Sequence, residues 1–134
     1  MRENIEKAFA GGLFAITLLT SDLAESQRFY GELLGLDKVW GDEVSAIYKV
    51  GGTMINVLSD TQAAELLEPA KLAADGAGEK VVYTLRCPDV DATCDELEAA
   101  GVKILNGPID RPWGVRTASF QDPSGNIWEL ANHP

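Results

Sequence analysis

The chain has 134 residues, 46% of them hydrophobic, with 21 acidic against 11 basic side chains and a net charge of −10. That length suits one domain able to bury roughly two thirds of its unfolded surface, so a core can form without disulfide or metal staples. The acidic balance argues against a nucleic-acid binder, which needs clustered Lys and Arg to displace counterions, and no apolar run approaches the ~18 residues that a membrane helix needs.

Residues 1–12 mix charges and end in Gly11-Gly12, which predicts an arm or a short helix. Residues 13–20 read as a buried strand, closed by Ser21 or Asp22 as the N-cap of a helix over 23–34. In that helix Phe29, Tyr30, Leu33 and Leu34 recur at helical spacing, Glu25 suits the first turn, and Gly35 follows as the C′ residue. Three short strands are expected next, over 36–40, 46–50 and 53–59, separated by Gly41-Asp42-Glu43 and Gly51-Gly52. Residues 61–74 have helical composition broken at Pro69, and 74–79 are small and polar, as in a linker.

The second half runs in the same order. A strand is predicted over 80–86, a helix over 89–100 closed by Gly101, a strand over 102–106, and a hairpin of 115–121 with 126–131. Gly107-Pro108 and Arg111-Pro112-Trp113-Gly114 form the long loop before the hairpin, of a composition that often shapes a pocket mouth. The hairpin turns at Asp122-Pro123-Ser124-Gly125, where Pro123 pre-sets φ, Asp122 can accept from the backbone ahead of it, and Gly125 tolerates positive φ. Beyond it Ile127, Glu129 and Ala131 share one face while Trp128 and Leu130 share the other, which assigns Trp128 to the core. Asn56 stands four residues after Gly52 as Glu129 stands four after Gly125, and Ser21-Asp22-Leu23 is echoed about 67 residues later by Pro88-Asp89-Val90. One motif is written twice.

The βαβββ repeat, together with Ser21-Asp22-Leu23, Phe29-Tyr30, Leu33-Leu34-Gly35-Leu36 and Asp122-Pro123-Ser124-Gly125-Asn126 with Glu129-Leu130, resembles the vicinal oxygen chelate superfamily over residues 12–132. Glyoxalase I, extradiol dioxygenases, and fosfomycin- and bleomycin-resistance proteins belong to it. The resemblance implies an α+β fold of two tandem βαβββ modules, residues 13–59 and 80–132 joined by 60–79. Their mixed sheet curls around a central cavity, with helices outside, in a single domain over 1–134. It leaves open whether the modules pair within or between chains, and it implies a homodimer with the arm near the interface.

In metal-dependent members four positions on the concave sheet can hold a divalent ion. Carried over, they are Ala15 and Val82 in the first strands and Asn56 and Glu129 in the last. Only Glu129 is a strong donor, and the one histidine, His133, is next to last, so no metal and no other cofactor is expected. Counting in twos adds Thr17, Thr84 and Arg86 to the concave face, with Leu19, Met54 and Leu58 beside them. Trp40, Tyr48, Trp113 and Arg116 join as ligand-binding candidates whose register no ligand position fixes. These residues suggest a mostly apolar, partly aromatic small-molecule site.

Three readings of function stay open. One is a metal-free protein of the bleomycin-resistance type that sequesters an aromatic or cationic ligand, with Glu129 as the anchor. Another is a glyoxalase- or dioxygenase-like enzyme using Glu129 as a base or as the sole retained metal ligand. The third is a structural module without pocket chemistry. The N-terminus carries no signal-peptide pattern, and Cys87 and Cys94 read as reduced thiols, so a cytoplasmic protein is expected.

Overall fold

In the computed structural model, which describes residues 3–79 and 81–134, the chain folds as an α+β protein of two four-stranded mixed sheets flanked by helices. A detached helix, α1 (Glu3–Ala10), comes first and buries none of its residues. The first sheet holds β1 (Ala15–Thr20), β2 (Lys38–Gly41), β3 (Ser45–Val50) and β4 (Thr53–Ser59), in the order β1-β4-β3-β2. The second holds β5 (Val82–Arg86), β6 (Ile104–Asp110), β7 (Arg116–Gln121) and β8 (Ile127–Ala131), in the order β5-β8-β7-β6. In each, the first strand runs parallel to the last and the other pairs are antiparallel, so the repeat in the sequence is a repeat in topology.

The crossover helices begin alike. Asp22 accepts a bond from the backbone N–H of Glu25 at 3.0 Å to open α2 (Leu23–Gln27), and Asp89 accepts from Ala92 at 3.0 Å to open α4 (Val90–Ala99). Of the two expected caps, Asp22 is therefore the one used. Past Gln27 the helix widens into a π-helical turn, Arg28–Leu33, where Leu34 N–H bonds the Phe29 carbonyl. The wider turn lets the sequence neighbours Phe29 and Tyr30 both point inward, where both are buried. The helix-like segment after β4 is a short 3₁₀ turn, Asp60–Gln62, and α3 (Ala63–Leu67), which stops before Pro69. No helix among the described residues is long and apolar enough to cross a membrane.

Several boundaries moved: β1 begins at Ala15, β2 spans Lys38–Gly41 and β6 begins at Ile104. β6 continues to Asp110 through Gly107-Pro108, which composition assigned to a loop. It does so with register shifts against β7, because Gly107 has φ +81 and lies against the β7 backbone, so a Cβ there would meet Thr117 O and come 2.8 Å from Ala118 Cα. The strand expected from residue 80 begins at Val82; Lys80 lies outside the described residues.

One core serves both halves. Tyr48, Ile55 and Val57 from the first sheet, Ala118, Phe120, Trp128 and Leu130 from the second, and Phe29, Tyr30, Cys94 and Leu97 from the helices form a continuous buried cluster. The Tyr30 ring lies 6.0 Å from that of Tyr48 and 6.3 Å from that of Trp128, so it touches both sheets. Because the two sheets turn their helix-side faces to a shared core, their other faces open on different sides of the chain. Each open face is curled: in the second sheet Thr117, Ser119 and Ala131 on the central strands are buried, while Val82, Thr84 and Asn106 on the outer strands are exposed. In the first sheet Asn56 and Ile47 are half-buried between exposed Thr17 and Trp40, so each face is a half-cup with an exposed rim, the second the deeper.

Candidate functional site

Strand pairing places each candidate, because residues opposite one another in a ladder share a face. Across the first open face a row runs Thr17, Asn56, Ile47, Trp40; Ala15 pairs with Met54 one row away. Across the second the corresponding row is Thr84, Glu129, Ser119, Asn106, flanked by Val82 with Ile127 and by Arg86 with Ala131. Asn56 and Glu129 are thus equivalent, as the repeat requires, and each faces a threonine. Thr84 Oγ1 donates to Glu129 Oε1 at 3.0 Å. Within one chain the first group (Ala15, Thr17, Trp40, Asn56) and the second (Val82, Thr84, Arg86, Glu129) sit on separate half-cups.

Two candidates belong to the opposite face. Tyr48 pairs with Ile55 rather than Asn56, is 2% exposed, and packs its ring under Gly31 and beside Tyr30. It is a core residue, and the open-face neighbours on β3 are Ile47 and Lys49. Arg116 is one residue out of phase with Thr117, the residue opposite Ala131. It leaves the cup and is clamped by Asp91 at 2.8 Å and Asp110 at 3.0 Å, tying the start of α4 to the β6–β7 turn. The hydrogen bonds it donates lower the Asp91 pKa and raise its own. Both residues are structural.

Trp113 stands in the β6–β7 turn, exposed, with the Arg111 guanidinium 5.9 Å from its ring centroid. Arg111 is the residue that sequence reasoning missed. Its Nε donates to Thr117 Oγ1 at 2.9 Å and its Nη2 to Asn106 Oδ1 at 3.2 Å, and both acceptors lie on the open face, so the arginine lies along the floor of the second half-cup. Ser119 was missed as well. Folding the hairpin about its turn sets Ser119 opposite Glu129, so residue numbers alone could have found it.

Two buried side-chain atoms in the described residues have no hydrogen-bond partner, Asn56 Oδ1 and Ser119 Oγ. Both belong to the central rows of the open faces. At the end of β1 a recess of about 240 Å³ lies between the 72–79 segment and the Asp122–Gly125 turn, and Thr17 reaches its wall.

The four positions that carry metal in metal-dependent relatives hold Ala15, Asn56, Val82 and Glu129 here. Two have no donor atom, one is an amide, and among the described residues no three His, Cys, Asp or Glu side chains converge. A transition-metal ion held tightly by protein takes three or four imidazole, thiolate or carboxylate donors, and this set does not fit one.

Similar proteins agree with this architecture. Residues 12–130 match the Glyoxalase/Bleomycin resistance protein/Dioxygenase superfamily. The uncharacterized protein YraH of Bacillus subtilis is 37% identical over 122 residues, 88% of this chain and 95% of that protein. A solved glyoxalase/bleomycin resistance protein/dioxygenase from Nocardioides superposes with a TM-score of 0.77 at 24% identity, over 98% of this chain and 92% of that one. A glyoxalase-related enzyme from Fulvimarina pelagi gives 0.71 at 27% identity, over 89% and 86%. With the repeated βαβββ topology and the match over nearly the whole chain, this protein belongs to the glyoxalase/bleomycin resistance protein/dioxygenase superfamily.

Proposed function

We propose that the protein binds a small aromatic or cationic molecule without a metal ion, in a site made where the first half-cup of one chain meets the second half-cup of another copy in a homodimer. The observation that carries this reading is the location of the two unpartnered buried polar atoms. Asn56 Oδ1 and Ser119 Oγ lie in equivalent rows of the two open faces, and a buried polar group without a partner costs about 1–3 kcal/mol. A ligand, an ion or an ordered water supplies the missing bond at such groups, and their place on the two open faces favours a ligand. Trp40, half exposed on the rim of the first cup, supplies aromatic surface, and Glu129 supplies the anionic anchor.

A second reading, an enzyme that uses Glu129 as a base, is favoured by one feature. Among the described residues Glu129 has Thr84 as its hydrogen-bond partner and no cation in ion-pair contact, so the carboxylate is available to take a proton.

Native mass spectrometry with thermal denaturation tests the metal-free reading. The purified protein is expected to carry no stoichiometric divalent ion, and zinc, nickel, manganese or iron(II) at low micromolar concentration is expected to leave its Tm unchanged. A rise of several degrees that Glu129→Gln abolishes would overturn it. Titration with small aromatic cations, followed by Trp fluorescence, tests binding, with saturable quenching as the expected result.

A further inference from the structure

Arg111 and Glu129 share the second half-cup and leave each other alone. The Arg111 guanidinium is fixed from three sides, by Thr117, by Asn106 and by the Trp113 ring, yet all three partners are neutral. No carboxylate of the described residues pairs with it, and its Nη1 donates to nothing among them. Glu129 uses Oε1 to accept from Thr84, and its Oε2 accepts from none of the described residues. Ser119, 6% exposed, stands opposite Glu129 with its Oγ unpartnered.

The register brings the two charges to one face. Arg111 rests on Thr117, which pairs with Ala131, so Glu129 is the diagonal neighbour of Thr117, and diagonal neighbours on one face are within reach of a single small ligand. A ligand with a cationic group and no anion meets Arg111 as a like charge, and one with an anion and no neighbouring donor leaves Glu129 unpaired beside a like charge.

Resting on the reading of this face as a ligand site, we infer that the second half-cup recognises a compound with an anionic acceptor beside a hydrogen-bond donor, of the 2-amino or 2-hydroxy carboxylate class. The carboxylate of the ligand takes the free Arg111 donors and accepts from the Ser119 hydroxyl, and its amino or hydroxyl group donates to Glu129.

Three probes separate the contributions: phenylalanine, phenethylamine, which lacks the carboxylate, and 3-phenylpropionate, which lacks the amine. Ligand-observed NMR on the full chain is expected to show phenylalanine binding about ten- to a hundred-fold more tightly than either relative. Arg111→Gln should bring phenylalanine down to the level of phenethylamine, and Glu129→Gln to that of 3-phenylpropionate, each with an unchanged fold by circular dichroism. Equal binding of phenethylamine and phenylalanine, or insensitivity to Arg111→Gln in a folded variant, overturns the inference and leaves the cation-binding reading standing. Absence of binding by all three at millimolar concentration also overturns it. The proposed function falls with it only if the aromatic-cation titration fails too.

Discussion

Asp122 is the most heavily used side chain in the structure. Its Oδ1 accepts from the backbone N–H groups of Ser124 at 3.0 Å and Asn126 at 2.8 Å, shaping the hairpin turn. Its Oδ2 accepts from Asn126 Nδ2 at 2.8 Å and from the Tyr30 hydroxyl at 2.6 Å, and that hydroxyl in turn accepts from Trp128 Nε1 at 3.1 Å. Burial, and then the nearby Asp122 carboxylate, raise the Tyr30 pKa well above its ordinary value of 10.0. Tyr30 stays protonated in the folded protein where the unfolded chain ionises. A raised folded pKa gives stability that is complete below about pH 10 and is lost as pH climbs from there toward the folded value, at about 1.4 kcal/mol per pH unit for this group. Tyr30→Phe is therefore expected to cost about 1–3 kcal/mol at neutral pH, and to flatten the alkaline limb of a stability profile measured by urea melts between pH 8 and 11. An alkaline limb as steep as that of the unaltered protein would refute the assignment. The sequence showed that Asp122 builds a turn, but its bond to Tyr30, 92 residues away, is visible only once the two halves are packed.

At the scale of elements, β6 sets the geometry of the second half-cup. Gly107 allows the strand to cross the β7 backbone closely, and that crossing leaves Asn106 beside Ser119 and Arg111 within reach of both Asn106 and Thr117. Gly107→Ala adds a Cβ against backbone atoms at positive φ, with an expected destabilisation of about 2–5 kcal/mol in denaturant unfolding. A loss below 1 kcal/mol would show that β6 has room to shift. The strands also explain which site residues were legible. The faces of Glu129, Asn56, Thr17 and Thr84 came from the repeat and from counting in twos along strands whose ligand positions the resemblance supplied, and the ladder pairs Thr17 with Asn56 and Thr84 with Glu129. Tyr48 and Arg116 were misplaced because β3 and β7 were read without their partners. Pairing across Gly51-Gly52 sets Tyr48 opposite Ile55, and pairing across the Asp122 turn makes Thr117, not Arg116, the residue opposite Ala131. Arg111 was hidden for another reason: a turn residue has no alternation to read, and its side chain is directed by the acceptors it finds.

For the whole molecule the main question is what covers the open faces. Helix α1 has eight residues and buries none, exposing Ile5 and Phe9, and an isolated helix of that length is unstable in water. Leu13, Phe14, Val82 and Trp113 add further exposed apolar surface. A homodimer that covers this surface is expected, with light scattering at micromolar concentration giving twice the chain mass, and removal of residues 1–12 weakening the association. A monomer at that concentration would reject the assembly and, with it, a site shared between chains.

The bond from Tyr30 to Asp122 also has a consequence for how the chain unfolds. Each module could melt by itself if its core were its own, but the central tyrosine of the first module has its hydroxyl satisfied only by the turn and the indole of the second. Separating the modules would strand that hydroxyl and expose Phe29, Phe120 and Trp128 together, since the first two rings lie 6.3 Å apart across the junction. The cost of partial opening is thus close to that of complete opening. The repeated architecture, drawn as two units, is therefore expected to unfold as a single cooperative one, with heat uptake in one transition and amide protons in both sheets exchanging through the same global event.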